Sequence, residues 1–169
     1  CSRVSEGCRH CYAERQAFRA AAMGISRYDG ITKKVGGEIR WTGQVALVES
    51  ALNLPLKWKR PRRIFVNSMS DLFHEAVPDE WINRIFSVMA RAQQHTFQVL
   101  TKRPERMLAY LTQPWRAVAI AADIPSPCGN VCPPDNVWLG VSVEDQASAD
   151  DRIPLLLQTP AAVRWVSYE

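Results

Sequence analysis

The stretch "TFQVLTKRPERMLAYL", residues 96–111, predicts a β-strand that leads directly into a helix. Its first half is rich in β-branched and aromatic residues, which favour a strand. Pro104 stands where a helix would begin, and Met107, Leu108 and Leu111 then share one helical face. The polar residues between the two halves are therefore expected at the carboxyl end of a strand.

The same alternation continues on both sides of this stretch. Further strands are predicted at residues 44–50 ("QVALVES"), 63–69 ("RIFVNSM"), 136–143 ("NVWLGVSV") and 162–168 ("AVRWVSY"). Helices are predicted over residues 12–24, over residues 79–94, and from a cap at Asp145 to Arg152, where Pro154 breaks or restarts the helix. Residues 25–43 contain several glycines and are interpreted as an irregular connection.

Strands that alternate with helices indicate an α/β protein with a parallel sheet. The 169 residues fit a single domain, residues 1–169. Closing eight strand–helix units needs roughly 200 residues or more, so a partial TIM-like (β/α) barrel or an open sheet is expected. A start at Cys1 and a last strand with nothing behind it predict a fragment that is incomplete at both ends.

One proline-rich segment departs from this alternation. Residues 119–135 hold Cys128 and Cys132 and are interpreted as a surface insertion between a helix and a strand. These two cysteines could bind a second metal or pair in vitro, and free cysteines in a loop are the favoured interpretation.

Composition narrows the class of protein. Hydrophobic residues make up 47% and charged residues 22%, as in soluble globular domains. No apolar run approaches the ~18 residues of a membrane span, and no signal peptide is visible. Five cysteines, three of them near the first residue, favour a reducing compartment and metal or redox chemistry over a disulfide framework. A cytoplasmic protein without a membrane partner is expected.

Polar side chains cluster at the predicted carboxyl ends of the strands, where parallel α/β proteins bind their ligands. Any one of them could simply cap a helix, but charged groups recur at each strand end. The strongest candidates are Asp71, Lys102 and Glu144, because placing a charged group at the mouth of a site without a partner costs free energy. The candidate residues are Asn67, Ser68, Ser70, Asp71, Thr101, Lys102, Arg103, Ser142 and Glu144.

The segment "CSRVSEGCRHCYAER" places Cys1, Cys8 and Cys11 in the spacing C-x6-C-x2-C. Thiolates are soft ligands suited to zinc or to iron-sulfur clusters. A closed zinc site needs four ligands, and the nearby candidate His10 is wedged between two of the cysteines. Three thiolates on a four-iron cluster would leave one iron open to a substrate or cofactor.

A basic run, "KWKRPRR", gathers Lys57, Lys59, Arg60, Arg62 and Arg63 around Trp58. Such a run can contact phosphates, although charge runs more often mark solvated surface. Weaker signals come from His74 and Glu75, for which an acid–base role or an ordinary hydrogen bond are both open.

The cysteine segment, together with "RRIFVNSMSDLFHEAVPDEWI", "HTFQVLTKRPERM" and "NVWLGVSVEDQ", resembles the phage- and mobile-element-associated three-Cys-motif family. That family has no known function and is related to the radical S-adenosylmethionine (SAM) superfamily. The resemblance covers nearly the whole chain except the proline-rich segment. It implies a radical SAM-like partial barrel and a separately encoded three-Cys-motif partner protein.

Carried over to this sequence, the resemblance implies that Cys1, Cys8 and Cys11 bind a 4Fe-4S cluster and that SAM occupies the fourth iron. His10 takes the position before the last cysteine, where an aromatic residue is usual, and Tyr12 follows that cysteine, so both are expected at the cofactor. The superfamily usually has three residues in the first gap, and this chain has six. The substrate is unidentified, with a nucleic acid or nucleotide as the guess that the family's phage association suggests.

A different class of function also fits the same residues. A zinc-stabilised nucleic-acid-binding module could use the three cysteines with a fourth ligand and contact phosphates through the basic run. The two hypotheses differ in the metal they predict. The enzyme requires iron and sulfide, whereas the binding module requires zinc.

Overall fold

The structure is a computed structural model that describes residues 1–114 and 133–169, and this part of the chain has mixed α/β architecture. The strands are β1 Thr32–Val35, β2 Glu38–Trp41, β3 Arg63–Val66, β4 Thr96–Thr101, β5 Val137–Val143 and β6 Val163–Tyr168. The helices are α1 Tyr12–Ala22, α2 Glu49–Leu52, α3 Leu54–Lys57, α4 Asp79–Arg91, α5 Pro104–Leu111 and α6 Gln146–Gln158. Short 3-10 helices span Glu6–Cys8 and Ser26–Tyr28.

The main sheet has the order β3-β4-β5-β6, and each neighbouring pair is parallel. The register places Val66 beside Val99 and Thr101 beside Val141. Because all four strands run in the same direction, their carboxyl ends meet at one edge of the sheet. The predicted parallel sheet is thus confirmed, and its described strands form an open sheet rather than a closed barrel.

One face of this sheet forms the core with the helices. Phe97, Val99 and Leu139 are buried and pack against α4, where Phe86 and Met89 are also buried. The helix presents these residues because their spacing returns them to one face of a 3.6-residue repeat. The predicted helix at residues 79–94 is therefore confirmed, with its end at Arg91.

The connection after α1 is more regular than predicted. Residues 25–43 contain the antiparallel hairpin β1–β2, with Lys34 paired to Ile39. Gly36 and Gly37 form its two-residue turn, and both have positive φ, +57° and +87°. A two-residue hairpin turn of this kind needs that left-handed backbone, which glycine adopts without strain. The "GG" pair thus marked a turn between two short strands.

Two other local predictions were wrong. Residues 44–48 form no strand, and residues 49–52 are the short helix α2. Pro154 does not break α6, which continues to Gln158. That helix is held from both ends, by the buried side chain of Leu156 and by the capping box that Asp145 forms with Ser148, so tertiary packing outweighs the lost proline N–H.

The predicted insertion at residues 119–135 lies largely outside the described residues, as do Cys128 and Cys132. Within residues 1–114 and 133–169, no helix combines the length and apolar character needed to cross a membrane.

Candidate functional site

The cysteine loop, residues 1–11, lies over the carboxyl edge of the main sheet. Its contacts reach Arg103 after β4 and Glu144 after β5, and the hydroxyl of Tyr12, which follows the loop, donates to the Ser68 carbonyl after β3 at 2.7 Å. The structure therefore brings the predicted polar residues and the cysteines to the same edge, as the strand ends of a parallel sheet require.

Asp71 is the buried centre of the first polar network at this edge. Its Oδ1 accepts from the Phe73 amide at 2.9 Å and from the Thr101 hydroxyl at 2.8 Å. Its Oδ2 accepts from the Lys102 amide at 3.2 Å and from Arg103 Nη1 at 3.0 Å. Asp71 and Arg103 are only 7% and 8% exposed. The carboxylate is thus fully engaged within the protein, and it joins the ends of β3 and β4.

Arg103 extends this network to the cysteine loop. Its Nη2 donates to the Ser2 hydroxyl at 2.7 Å and to the Ser2 carbonyl at 3.3 Å, and its Nε donates to Glu75 at 3.1 Å. A guanidinium presents several N–H groups in one plane, so one side chain can bridge Asp71, Glu75 and the loop at once. Arg103 therefore fixes the position of the residue that follows Cys1.

His74 supports the same serine. The Ala76 amide donates to His74 Nδ1 at 3.1 Å, so the neutral ring carries its proton on Nε2 and donates to the Ser2 hydroxyl at 3.0 Å. Burial lowers the pKa of His74, and nearby positive charge, including Arg103, adds to this effect. With its proton on Nε2, the ring cannot accept the Ser2 proton, which favours the hydrogen-bonding role over the acid–base one.

Glu144 is the centre of a second network, on the β5 side of the loop. Its Oε1 accepts from Lys102 Nζ at 2.8 Å and from the Ser5 hydroxyl, and its Oε2 accepts from Arg152 Nη1 at 2.9 Å. Lys102 also donates to Ser142 at 2.8 Å and to Glu169 at 2.9 Å. Gly7 packs on the same side chain, since a Cβ there would lie 2.5 Å from Glu144 Cγ.

The surroundings of Glu144 favour its charged form. Burial acts to raise its pKa, but the hydrogen bonds from Lys102 and Ser5 and the charges of Lys102 and Arg152 outweigh it and lower the pKa to about 2. Burial acts to lower the pKa of Lys102, but its hydrogen bonds to Glu144 and Glu169 and their charges outweigh burial and raise that pKa. The pair is therefore ionised at neutral pH, and it ties the loop to the sheet.

This arrangement predicts acid sensitivity that depends on Glu144. A carboxylate with a lowered folded pKa stabilises the fold above its unfolded pKa, and it loses that contribution as the pH falls towards the folded value. A change from 4.5 to about 2 corresponds to about 3 kcal/mol, of which about 2 kcal/mol is lost by about pH 3. Urea unfolding of the wild type and of Glu144→Gln, compared from neutral pH downward, should show the difference between them shrinking below about pH 4.5. A difference that stays constant with pH would contradict the assignment.

The three cysteines are free and half-buried. The Cys8 thiol lies 4.0 Å from the Ser5 hydroxyl, the Cys1 thiol lies 3.7 Å from the Ser2 carbonyl, and Cys11 precedes the first residue of α1. In the part of the chain that the structure describes, no three His, Cys, Asp or Glu side chains are grouped to hold a metal ion. The three thiols thus share a loop without converging on one point.

A buried ion pair ties the cysteine loop to α1 and the hairpin. Arg3 donates to both oxygens of Glu14, at 3.1 Å and 2.6 Å, and to the Ile39 carbonyl at 3.2 Å. Glu14 is 2% exposed and also accepts from the Trp41 amide at 3.2 Å. The loop is therefore fastened at Ser2, Arg3 and Ser5, and all three anchors lie between Cys1 and Cys8.

A cavity of about 520 Å³ opens beside Cys1. Its walls come from β3, α4 and residues 44–58, and they are largely apolar and aromatic. Three predicted residues, Asn67, Ser70 and Asp71, line it together with Cys1. Largely apolar pockets of this size with a few polar groups are typical of small-molecule sites.

The predicted residues divide into two groups by their contacts. In the described residues, the side chains of Asn67, Ser68 and Ser70 form no hydrogen bond, and His10 is exposed without a partner. Asn67 also has a left-handed φ of +62°, which asparagine tolerates better than most residues and which turns the chain sharply after β3. The other predicted residues instead form hydrogen bonds or ion pairs with one another: Asp71, Thr101, Lys102, Arg103, Ser142 and Glu144.

Several residues of the site carried little signal in the sequence. Ser2, Ser5 and Arg152 hold the two networks, yet nothing in their spacing pointed to Asp71, Arg103 or Glu144. Glu14 offered more, because it follows Ala13 and precedes Ala17 on the buried side of α1.

A family model described as "Protein of unknown function (DUF5131)" matches residues 1–169. No curated protein and no solved structure matches the chain.

Proposed function

The chain belongs to the family described as "Protein of unknown function (DUF5131)", and we propose that this member is a radical SAM-like enzyme whose cluster ligands are Cys1, Cys8 and Cys11. The family membership agrees with the resemblance only in being uncharacterised. The relation to radical SAM enzymes and to phages stays a prediction, and so does the partial TIM-like barrel that the open parallel sheet would belong to.

The observation that carries the proposal is the anchored loop of three free cysteines at the carboxyl edge of a parallel sheet. Three thiols suit an iron-sulfur cluster chemically, and three rather than four leave one coordination position open. Because the thiols do not converge, cluster binding would require the loop to rearrange. The segments that would move lie between the anchors at Ser2, Arg3 and Ser5, and between the last anchor and the start of α1. When bound, a reduced cluster with SAM supplies reductive cleavage of the sulfonium to methionine and a radical that removes a hydrogen atom from the substrate.

The chain's own residues would position the ligands of this reaction. The Arg103 and Glu144 networks hold the loop against the sheet, so Asp71, Thr101, Lys102, Arg103, Ser142 and Glu144 act as its support. Asn67, Ser68 and Ser70 have free side chains at the edge, and two of them line the cavity, so they are the proposed polar contacts to SAM or substrate. The apolar walls of the cavity exclude water from a bound ligand.

The proposal is tested on protein purified without oxygen. Iron and sulfide analysis after reconstitution should give a four-iron cluster with its broad visible absorption, and addition of SAM with a reductant should release 5′-deoxyadenosine. Stoichiometric zinc with no uptake of iron and sulfide would contradict the proposal and favour a zinc-stabilised module.

A further inference from the structure

The basic loop, defined here as residues 57–63, leads into the amino end of β3, whereas the cysteine loop lies at the carboxyl ends of the strands. Lys57 ends α3, Arg62 precedes β3, and Arg63 is the first residue of that strand. Asn67 and the polar network follow the last residue of β3, so the four-residue strand separates them from the basic loop by about 13 Å. The basic side chains of the loop therefore lie away from the cysteine loop, while Trp58 also lines the cavity.

In the described residues, the cations of this loop have no carboxylate partner, whereas several basic residues elsewhere do. Elsewhere Arg3, Arg84, Lys102, Arg103, Arg106 and Arg152 each lie within 4.0 Å of a carboxylate. Within the described residues, none of the five basic side chains of the loop forms such a pair, and all five are exposed. Five unpaired positive charges in seven residues repel one another, and a polyanion relieves that repulsion.

The loop is held in place by a buried histidine rather than left loose in solvent. His95 is 1% exposed, its Nδ1 accepts from the Arg62 amide at 3.2 Å, and its Nε2 bonds to the Pro55 carbonyl at 3.0 Å. One neutral tautomer, protonated on Nε2, satisfies both contacts. Gln94 also donates to the Trp58 carbonyl at 3.2 Å. Both ends of the loop are thus fixed to the turn before β4.

Aromatic rings orient two of the guanidinium groups. The Arg62 guanidinium carbon lies 4.7 Å from the ring centre of Trp58, and the Trp58 ring also packs edge-on against His95. The Arg63 guanidinium carbon lies 5.9 Å from the ring centre of Trp138. Cation–π contacts of this kind restrict a guanidinium while leaving its N–H groups free to bind oxygen atoms.

We propose that the basic loop binds the sugar–phosphate backbone of a nucleic acid without sequence preference. Fixed guanidinium forks and unpaired ammonium groups match a row of phosphates. A membrane surface fits less well, because Trp58 is half-buried between Arg62 and His95 and cannot insert into lipid. This surface does not depend on the cysteine loop, so it stands or falls separately from the proposed enzyme.

The experiment measures binding of labelled duplex and single-stranded DNA of random sequence by fluorescence anisotropy across a salt series. If about four phosphates are neutralised, affinity for duplex should fall about 100-fold between about 50 and about 200 mM salt. The variant Lys59→Gln/Arg60→Gln removes two exposed charges whose side chains form no hydrogen bond, ion pair or ring contact in the described residues. It should bind more than about 10-fold more weakly and show a slope shallower by about two.

The matched control is Lys33→Gln/Lys34→Gln, which removes two exposed lysines from β1 and so changes the net charge by the same amount. It should bind DNA like the wild type. Equal weakening by both variants, or no binding at low salt, would overturn the proposal. Binding to vesicles of anionic phospholipid as tight as binding to DNA would overturn it too.

Discussion

Replacing Cys1, Cys8 and Cys11 together with alanine is expected to abolish cluster uptake and the release of 5′-deoxyadenosine. Thiolates are the ligands that hold such clusters, and the described residues contain no group of three His, Cys, Asp or Glu side chains that could replace them. The loss should be complete within detection, since two ligands or fewer rarely retain a cluster. Iron and sulfide analysis and quantification of the nucleoside measure it.

The chain provides its own control for this variant. Cys128 and Cys132 are its other two cysteines, and Cys128→Ala/Cys132→Ala should keep the full iron and sulfide content. Circular dichroism of both variants checks that they are folded. Equal cluster content in the wild type and in the triple variant would contradict the assignment of the three cysteines, whatever the activity.

Replacing Asp71 with alanine is expected to lower the free energy of unfolding by about 3–5 kcal/mol. The substitution removes the acceptor for two backbone amides and the Thr101 hydroxyl, and it leaves the buried Arg103 without its buried partner. For a protein of this size the loss corresponds to a melting temperature lower by roughly 10 °C. Urea unfolding followed by tryptophan fluorescence measures the change.

The control for Asp71 is an arginine–carboxylate ion pair at the surface. Arg84 donates to both oxygens of Glu49 at 2.7 Å and 2.6 Å, but the Glu49 side chain is 63% exposed. Water already solvates these charges, so Glu49→Gln should leave the unfolding midpoint nearly unchanged. Asp71→Ala with the same midpoint as Glu49→Gln would mean that the buried network adds no stability.

Much of the fold could be predicted because the local sequence pattern of several elements matches the faces that they bury in the core. In α4, β4 and β5 the apolar residues recur at the spacing of the observed element, and the core needs those same faces. The predictions failed where local signals were short. The hairpin β1–β2 has four-residue strands with mostly exposed side chains, so its alternation is weak, and Pro154 lies in a helix that packing maintains.

The location of the candidate site could be predicted from the sequence, but the contacts of its individual side chains could not. The candidate residues end or follow strands that could be recognised locally, and parallel pairing then places them all at the carboxyl ends of the sheet: Asn67 to Asp71, Thr101 to Arg103, and Glu144. Which of them are free could not be predicted, because Ser2, Ser5 and Arg152 reach them from distant points in the chain.

The amino-acid sequence alone was therefore enough to determine the α/β class, because each strand and helix is marked by the pattern of its own residues. The alternation of those elements then predicted the parallel sheet and the end of the sheet where polar groups collect. The folded structure is needed to show that Asp71, Lys102 and Glu144 form internal ion pairs, and that the cations of the basic loop have no carboxylate partner among the described residues. Charges find partners through space, and the partner of Arg103 at Ser2 is 101 residues away along the chain.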